Sequence, residues 1–126
     1  MPTSGQPPMC AISIGLTRYT HELLERVPEF VLALPGEDME QACVYCGTYS
    51  GRDVDKFKET GLTPLPATKV RPPLIAECLA NLECRVVGKI RTGDHTIFAG
   101  EIVAAHHSDK PGHRLFNLGG GRYGGL

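Results

Sequence analysis

Runs of apolar and polar positions change their rhythm along this chain, and each rhythm predicts an element. Met9 to Gly15 (MCAISIG) is apolar and preceded by Pro7-Pro8, which predicts a buried strand. A polar connection follows from Thr17 to Thr20, and Thr20 is placed to cap a helix over His21 to Val27 that Pro28 stops. Phe30 to Leu34 (FVLAL) predicts a second strand, closed by Pro35-Gly36. Between Glu37 and Cys46 the spacing is helical and puts Met39, Ala42, Cys43 and Cys46 on one face. Tyr49 to Asp53 predicts a turn, with Asp53 capping a third helix that runs through Val54, Phe57 and Lys58 to Gly61. Thr63 to Pro73 holds four prolines and is expected to be extended and irregular. Further on, Leu82, Cys84 and Val86 alternate with Glu83 and Arg85. A turn at Thr92-Gly93-Asp94 then leads into Thr96 to Ala105, so the pattern predicts a long hairpin. The glycine-rich tail from Leu115 to Leu126 excludes a regular helix.

Two or more helices set among at least four strands, without βαβ alternation, predict an α+β fold that is mainly β. A Rossmann fold is disfavoured. The length of 126 residues fits one domain over 1–126. The 15 glycines and 10 prolines agree with a turn-rich, β-containing chain.

Charge and composition narrow the partners. The net charge of −1 gives no electrostatic reason to expect nucleic acid or an anionic membrane. Aromatic residues make up 6% with no Trp, which argues against stacking platforms for exposed bases. No apolar run approaches the roughly 20 residues that span a bilayer. Met1 to Pro8 lacks the charged start and apolar stretch of a signal peptide. An odd number of cysteines, five, fits a reducing compartment. Together these features predict a cytoplasmic protein.

Several motifs invite chemistry. Cys43-Val-Tyr-Cys46 could be half of a zinc site or a redox pair. Zinc would need Cys78 and Cys84 as well, and six residues along a strand would separate those two by about 20 Å. A redox pair of the thioredoxin kind wants a strand before the motif and a helix starting within it, whereas this pair falls late in a helical pattern. Packed thiols are the favoured reading. His106, His107 and His113 surround an expected loop, and adjacent histidines on a strand point opposite ways, so no metal site is assigned. The tail Gly119 to Gly125 lacks the helix and the Lys-Ser/Thr of a phosphate loop.

Two polar turns carry better chemistry. Thr17-Arg18-Tyr19-Thr20 and Ser50-Gly51-Arg52-Asp53-Val54-Asp55-Lys56 both stand before expected helices. Helix starts offer free amides and a positive dipole end, and Arg18 and Lys56 would suit a phosphate dianion. On spacing alone, capped helix starts with solvated charges are the favoured reading of both segments.

At these same segments the chain resembles the flavin reductase-like, FMN-binding split-barrel proteins, in the flavoredoxin branch. The resemblance rests on Ser4-Gly-Gln-Pro-Pro8 leading into Ala11 to Gly15, on Arg18-Tyr-Thr-His-Glu-Leu-Leu24, and on Glu29 to Pro35. Its most specific stretch is Gly47-Thr-Tyr-Ser-Gly-Arg-Asp-Val-Asp-Lys-Phe57 with Gly61-Leu-Thr63. Glu83-Cys84, Gly93-Asp-His95 and the tail from Leu118 to Tyr123 complete it.

The resemblance implies a Greek-key split β-barrel with short flanking helices, a homodimer, and FMN held near the subunit interface. It implies FMN contacts from Thr20, Lys56 and His95, with Arg18 and Ser50 as neighbours of the phosphate or ribityl chain. His95, if protonated, would stabilise the anionic reduced ring. No residue is assigned as a general acid or base, because the flavin carries the redox chemistry. The expected activity is electron transfer or NAD(P)H-dependent flavin reduction, with NAD(P)H or a redox protein as electron donor. Family members also have a strand and loop before the Ser4–Pro8 segment, with Asn and Trp positions that help cradle the flavin. The expectation is therefore of a chain lacking its N-terminal barrel strand. A truncated, dimerising remnant that binds flavin weakly or not at all is the rival reading.

Overall fold

The computed structural model describes residues 1–125. Its centre is a five-stranded antiparallel sheet in the order β1-β2-β7-β6-β3, made of β1 (Pro2–Gly5), β2 (Pro8–Gly15), β3 (Glu29–Leu34), β6 (Ala80–Thr92) and β7 (His95–His107). Two small antiparallel pairs lie outside it: β4 (Pro64–Leu65) with β5 (Leu74–Ile75), and β8 (Leu115–Gly119) with β9 (Arg122–Gly125). The helices are short: α1 (Tyr19–Arg26), α2 (Glu40–Thr48) following a 3₁₀ turn at Glu37–Met39, and α3 (Lys56–Thr60).

The hairpin of β6 and β7 is the spine. Gly93 turns it with a φ of 63°, a conformation open to a residue without Cβ. Pairing starts at Thr92 with His95 and runs to Ala80 with His107, shifting register between Glu83 and Cys84 and again between Val86 and Gly88. Such bulges add twist, and the bending lets Gly100 pass beneath Phe30. A Cβ on Gly100 would lie 2.7 Å from Phe30 Cζ and 3.0 Å from Cys84 Cβ. Cys10, Leu24, Phe30, Cys84 and Phe98 form the buried core, with Ile12, Ile14, Leu32, Leu82, Val86 and Ile102 packed against it. β3 covers only Ala80 to Arg85 of β6. Beyond that point β6 pairs with β7 alone and exposes Val87 and Ile90.

Several expectations need correction. Ser4 to Pro8 is not merely a lead-in, because Pro2–Gly5 pairs with Pro8 to Cys10 as a short hairpin. Helix α1 begins at Tyr19 with Arg18 as its N-cap, so Thr20 lies inside the first turn and caps nothing. Asp55, not Asp53, caps α3, accepting a hydrogen bond from the Lys58 amide at 3.2 Å. Cys78 precedes β6, so the strand separation expected between it and Cys84 does not apply.

Glu83, which alternates with Leu82 and Cys84 in the sequence, is fully buried and not turned to solvent. The proline-rich segment folds back over it. The Thr68 amide and hydroxyl each donate to Glu83 Oε2 at 2.9 Å, and the Lys69 amide donates to Oε1 at 2.6 Å. His106 Nε2 donates to Oε2 at 2.5 Å. Asn81, two residues earlier on β6, clamps the end of the same segment: its Oδ1 accepts from the Ile75 amide and its Nδ2 donates to the Ile75 carbonyl. These bonds answer the desolvation of a buried carboxylate and a buried amide.

Candidate functional site

Three segments far apart in the chain meet at one end of the sheet: the end of β2 with the start of α1, the connection from α2 to α3, and the β6–β7 turn. They surround an open cleft of about 1040 Å3. The β2 end is joined to the hairpin by Gly15 pairing with His95 and by the Leu16 amide donating to the Asp94 carbonyl at 3.0 Å. Thr20, Lys56, His95, Arg18 and Ser50 all line this cleft. The residues singled out in the sequence are therefore brought together.

Each has a definite setting. Arg18 turns out of β2 with its amide bonded to the Gly15 carbonyl at 3.1 Å and its own side chain in no cap. The first amides of α1 are thus claimed by no side chain, at the end where the helix dipole is positive. Ser50 organises the opposite wall: its carbonyl accepts from the Asp53 and Val54 amides, and its Oγ accepts from the Arg52 amide at 3.1 Å. Lys56 opens α3 and reaches back, donating from Nζ to the Cys46 carbonyl at 2.7 Å. That carbonyl belongs to the last turn of α2, where helix acceptors lack partners. An ammonium has three donors, so two remain for the cleft. His95 Nδ1 meets Asp94 Oδ1 at 2.7 Å. The hydrogen bond from His95 holds the Asp94 carboxyl below its ordinary range.

The sequence reading missed the residues that tie the walls together. Arg52 donates to Glu22 Oε2 at 2.7 Å and to the Thr17 carbonyl at 3.3 Å, with its guanidinium 5.0 Å from the centre of the Tyr19 ring. Glu22 is also held by Arg26 at 2.7 Å. The Glu22 carboxyl is lowered from its ordinary range, chiefly by the hydrogen bond from Arg52. Arg52 stood inside the most specific stretch of the sequence, but its partners are about 30 residues away in the chain and no spacing rule links them. Neither Arg18 nor Lys56 is matched to a carboxylate among the described residues.

Glycines shape the floor. A Cβ on Gly15 would lie 3.4 Å from Arg18 Cγ and 3.7 Å from His95 Nε2, so the two side chains close over bare backbone. Gly51 packs its backbone against Tyr19, where a Cβ would come within 3.2 Å of the ring. Cys46 and Gly47 carry α2 to the cleft edge. Among the described residues no group of three or more His, Cys, Asp and Glu side chains could hold a metal ion.

An open cleft with a bare floor, two unmatched cations and free helix amides suits a flat ligand carrying a phosphate. A flavin nucleotide meets that description. The Flavin reductase like domain profile matches residues 1–125. An uncharacterized protein of Archaeoglobus fulgidus is 43% identical over 109 residues, covering 86% of this chain; the aligned part is 62% of that relative's length. The fold is shared with the FMN-binding protein of Thermus thermophilus, at a TM-score of 0.89 and 28% identity, covering 99% of this chain and 73% of that one. It is shared equally with the flavoredoxin of Desulfovibrio vulgaris (Miyazaki F), at a TM-score of 0.89 and 26% identity, covering 100% of this chain and 74% of that one. The expected split barrel with short flanking helices is thereby borne out, and the chain belongs to the flavin reductase-like family.

Proposed function

We propose that residues 1–126 act as one flavin-binding unit that holds FMN in this cleft and passes electrons through it. The observation that carries the reading is the convergence of Thr20, Lys56, His95, Arg18 and Ser50, from three separate segments, on one cleft. Arg18, the Thr20 hydroxyl and amide, and the Lys56 ammonium would hold the phosphate, since charge-assisted hydrogen bonds to such an anion are the strong ones. Ser50 would face the ribityl chain. The wall from Ser13 to Gly15 would flank the ring, because Gly15 leaves bare backbone beneath Arg18 and His95, where a side chain larger than a methyl would fill the floor. His95, tethered to Asp94, would stand near the ring and favour its reduced anion when protonated.

The bound flavin supplies the hydride and electron chemistry. The protein orients it, lines its phosphate end with positive charge and limits the access of water. Electrons would come from NAD(P)H stacked against the ring or from a redox protein. The outer half of β6, with an unpaired edge and exposed Val87 and Ile90, supports a homodimer in which a second copy covers this face. A cytoplasmic location fits the reduced cysteines.

Absorbance titration of the chain with FMN tests the reading. Saturable binding with a perturbed flavin spectrum is expected, weakened about tenfold or more by Lys56→Ala, the loss of one charged hydrogen bond being worth about 1.5–3 kcal/mol. FMN that stays spectrally free at every protein concentration would refute it. Oxidation of NADH or NADPH by the FMN-loaded chain then separates reductase from electron carrier.

A further inference from the structure

His21 follows Thr20 in the first turn of α1, yet it does not line the cleft. Its ring turns the other way, onto the sheet. His21 Nε2 lies 2.8 Å from Thr96 Oγ1, and Thr96 is buried at 5% exposure. The ring also meets Phe98 edge to face, with centroids 5.4 Å apart and planes at 68°. Thr96 and Phe98 are two residues apart on β7 and so share the face on which α1 sits. We propose that His21 is a positioning residue for the cleft: through Thr96 it fixes the start of α1, and with it the phosphate donors Arg18 and Thr20, at a set distance from His95 on the ring side. The proposal rests on the flavin reading above.

The strand makes this link short. His95 and Thr96 are neighbours on β7, and alternation turns His95 to the cleft and Thr96 to the helix. Adjacent residues of one strand thus carry the ring side and the anchor of the phosphate side. They are themselves held by β2, where Gly15 pairs with His95 and Ile14 with Thr96. α1 has one other side-chain bond to the sheet among the described residues, from Lys89 Nζ to Glu25 Oε2 at 2.7 Å. It lies one turn farther on and joins two side chains that are about half exposed, where an ion pair holds little. The bond from His21 is the one in the first turn, and breaking it would strand a buried hydroxyl.

The chemistry of the pair sets its direction. Among the described residues the Thr96 hydroxyl has His21 as its one hydrogen-bond partner, and a buried hydroxyl proton needs an acceptor. The hydroxyl therefore donates, Nε2 accepts, and His21 carries its proton on Nδ1. A side chain with an acceptor where Nε2 stands can replace it; an apolar one cannot.

Titration of the full chain with FMN and with riboflavin, which has the ring and ribityl chain but no phosphate, tests the role. The parent should bind FMN the more tightly. His21→Leu keeps an apolar contact with Phe98 and should weaken FMN binding about five- to tenfold, while riboflavin changes by less than about twofold. His21→Gln, whose amide oxygen can stand in for Nε2, should restore the preference for FMN. Thr96→Val removes the other partner and keeps the shape of the strand residue, so it should reproduce the loss, and it decides alone if His21→Leu does not fold. The double variant should lose no more than either single change. An unchanged preference for FMN in His21→Leu and Thr96→Val, equal losses for both flavins, losses that add in the double variant, or a His21→Gln that behaves as His21→Leu would overturn the positioning role and leave the flavin reading standing. A parent that binds both flavins alike would remove the phosphate from α1 and the role with it. A parent that binds neither would overturn both readings.

Discussion

Replacing Glu83 by Gln keeps the shape of a fully buried side chain and removes its charge. In the parent, three donors converge on Oε2 and one on Oε1. An amide can accept at only one of these places and must present its NH2 group to a donor at the other. At best it keeps Oε2 and turns NH2 against the Lys69 amide, so the variant loses a charged hydrogen bond and buries an unsatisfied N–H. The expected cost is about 2–3 kcal/mol. For 126 residues the unfolding entropy is about 0.26 kcal/mol per kelvin, so the midpoint of thermal unfolding should fall by about 8–11 °C.

Acid makes the test sharper. Burial by itself would raise the Glu83 carboxyl, but the hydrogen bonds from Thr68, Lys69 and His106 outweigh it and bring the group from 4.5 to about 2. A group lowered on folding stabilises fully above its unfolded value, and that stabilisation is lost as pH falls from 4.5 toward about 2. The gap between parent and Glu83→Gln should therefore be full at pH 7 and shrink by about 2 kcal/mol, most of its size, at pH 3. Urea unfolding followed by circular dichroism at the two pH values measures it. Agreement of parent and variant within about 0.5 kcal/mol at pH 7, or an unchanged gap at pH 3, would refute the account of Glu83 as a charged clasp.

Gly100→Ala should lower the urea midpoint by an amount equal to about 1–3 kcal/mol without changing the slope, because its Cβ collides with Phe30 and Cys84. Gly15→Val should leave the circular dichroism spectrum intact and weaken FMN binding at least about tenfold, since it fills the floor beneath Arg18 and His95. Arg52→Ala removes the ties to Glu22, Thr17 and Tyr19; amide exchange over residues 50–54 should accelerate and FMN binding should weaken about three- to tenfold.

The long hairpin was legible because Leu82, Cys84 and Val86 alternate and Gly93-Asp94 marks the turn. β1 was not: Pro2–Gly5 is almost wholly exposed, so it carries no apolar alternation and exists only through its pairing with β2. Helix starts slipped by a residue or two: α1 begins after Arg18, which caps nothing with its side chain, and α3 after Asp55, since local sequence places helix ends poorly. The alternation rule itself misplaced Glu83, since it assigns polar residues to solvent and cannot foresee a loop from residues 68–69 covering them. Site residues were legible as chemistry in two polar turns, and spacing alone left them undecided. What brings them together is the sheet order, which sets β2 beside β7 across most of the chain.

That same strand order has a consequence for how the protein is made. Apart from the short β1 hairpin over Pro8 to Cys10, β2 finds its partners only at residues 95–101, so during synthesis this apolar strand leaves the ribosome long before its main neighbour in the sheet can cover it. The β6–β7 hairpin, by contrast, closes within its own neighbourhood as soon as His95 to His107 have followed the turn out. Assembly from the hairpin outward is the expected route, with β2 docking last onto a finished template. Until then Met9 to Ile14 is a client for chaperones and the segment most exposed to aggregation, and the cleft, whose floor is the end of that strand, comes into being with the final step of folding.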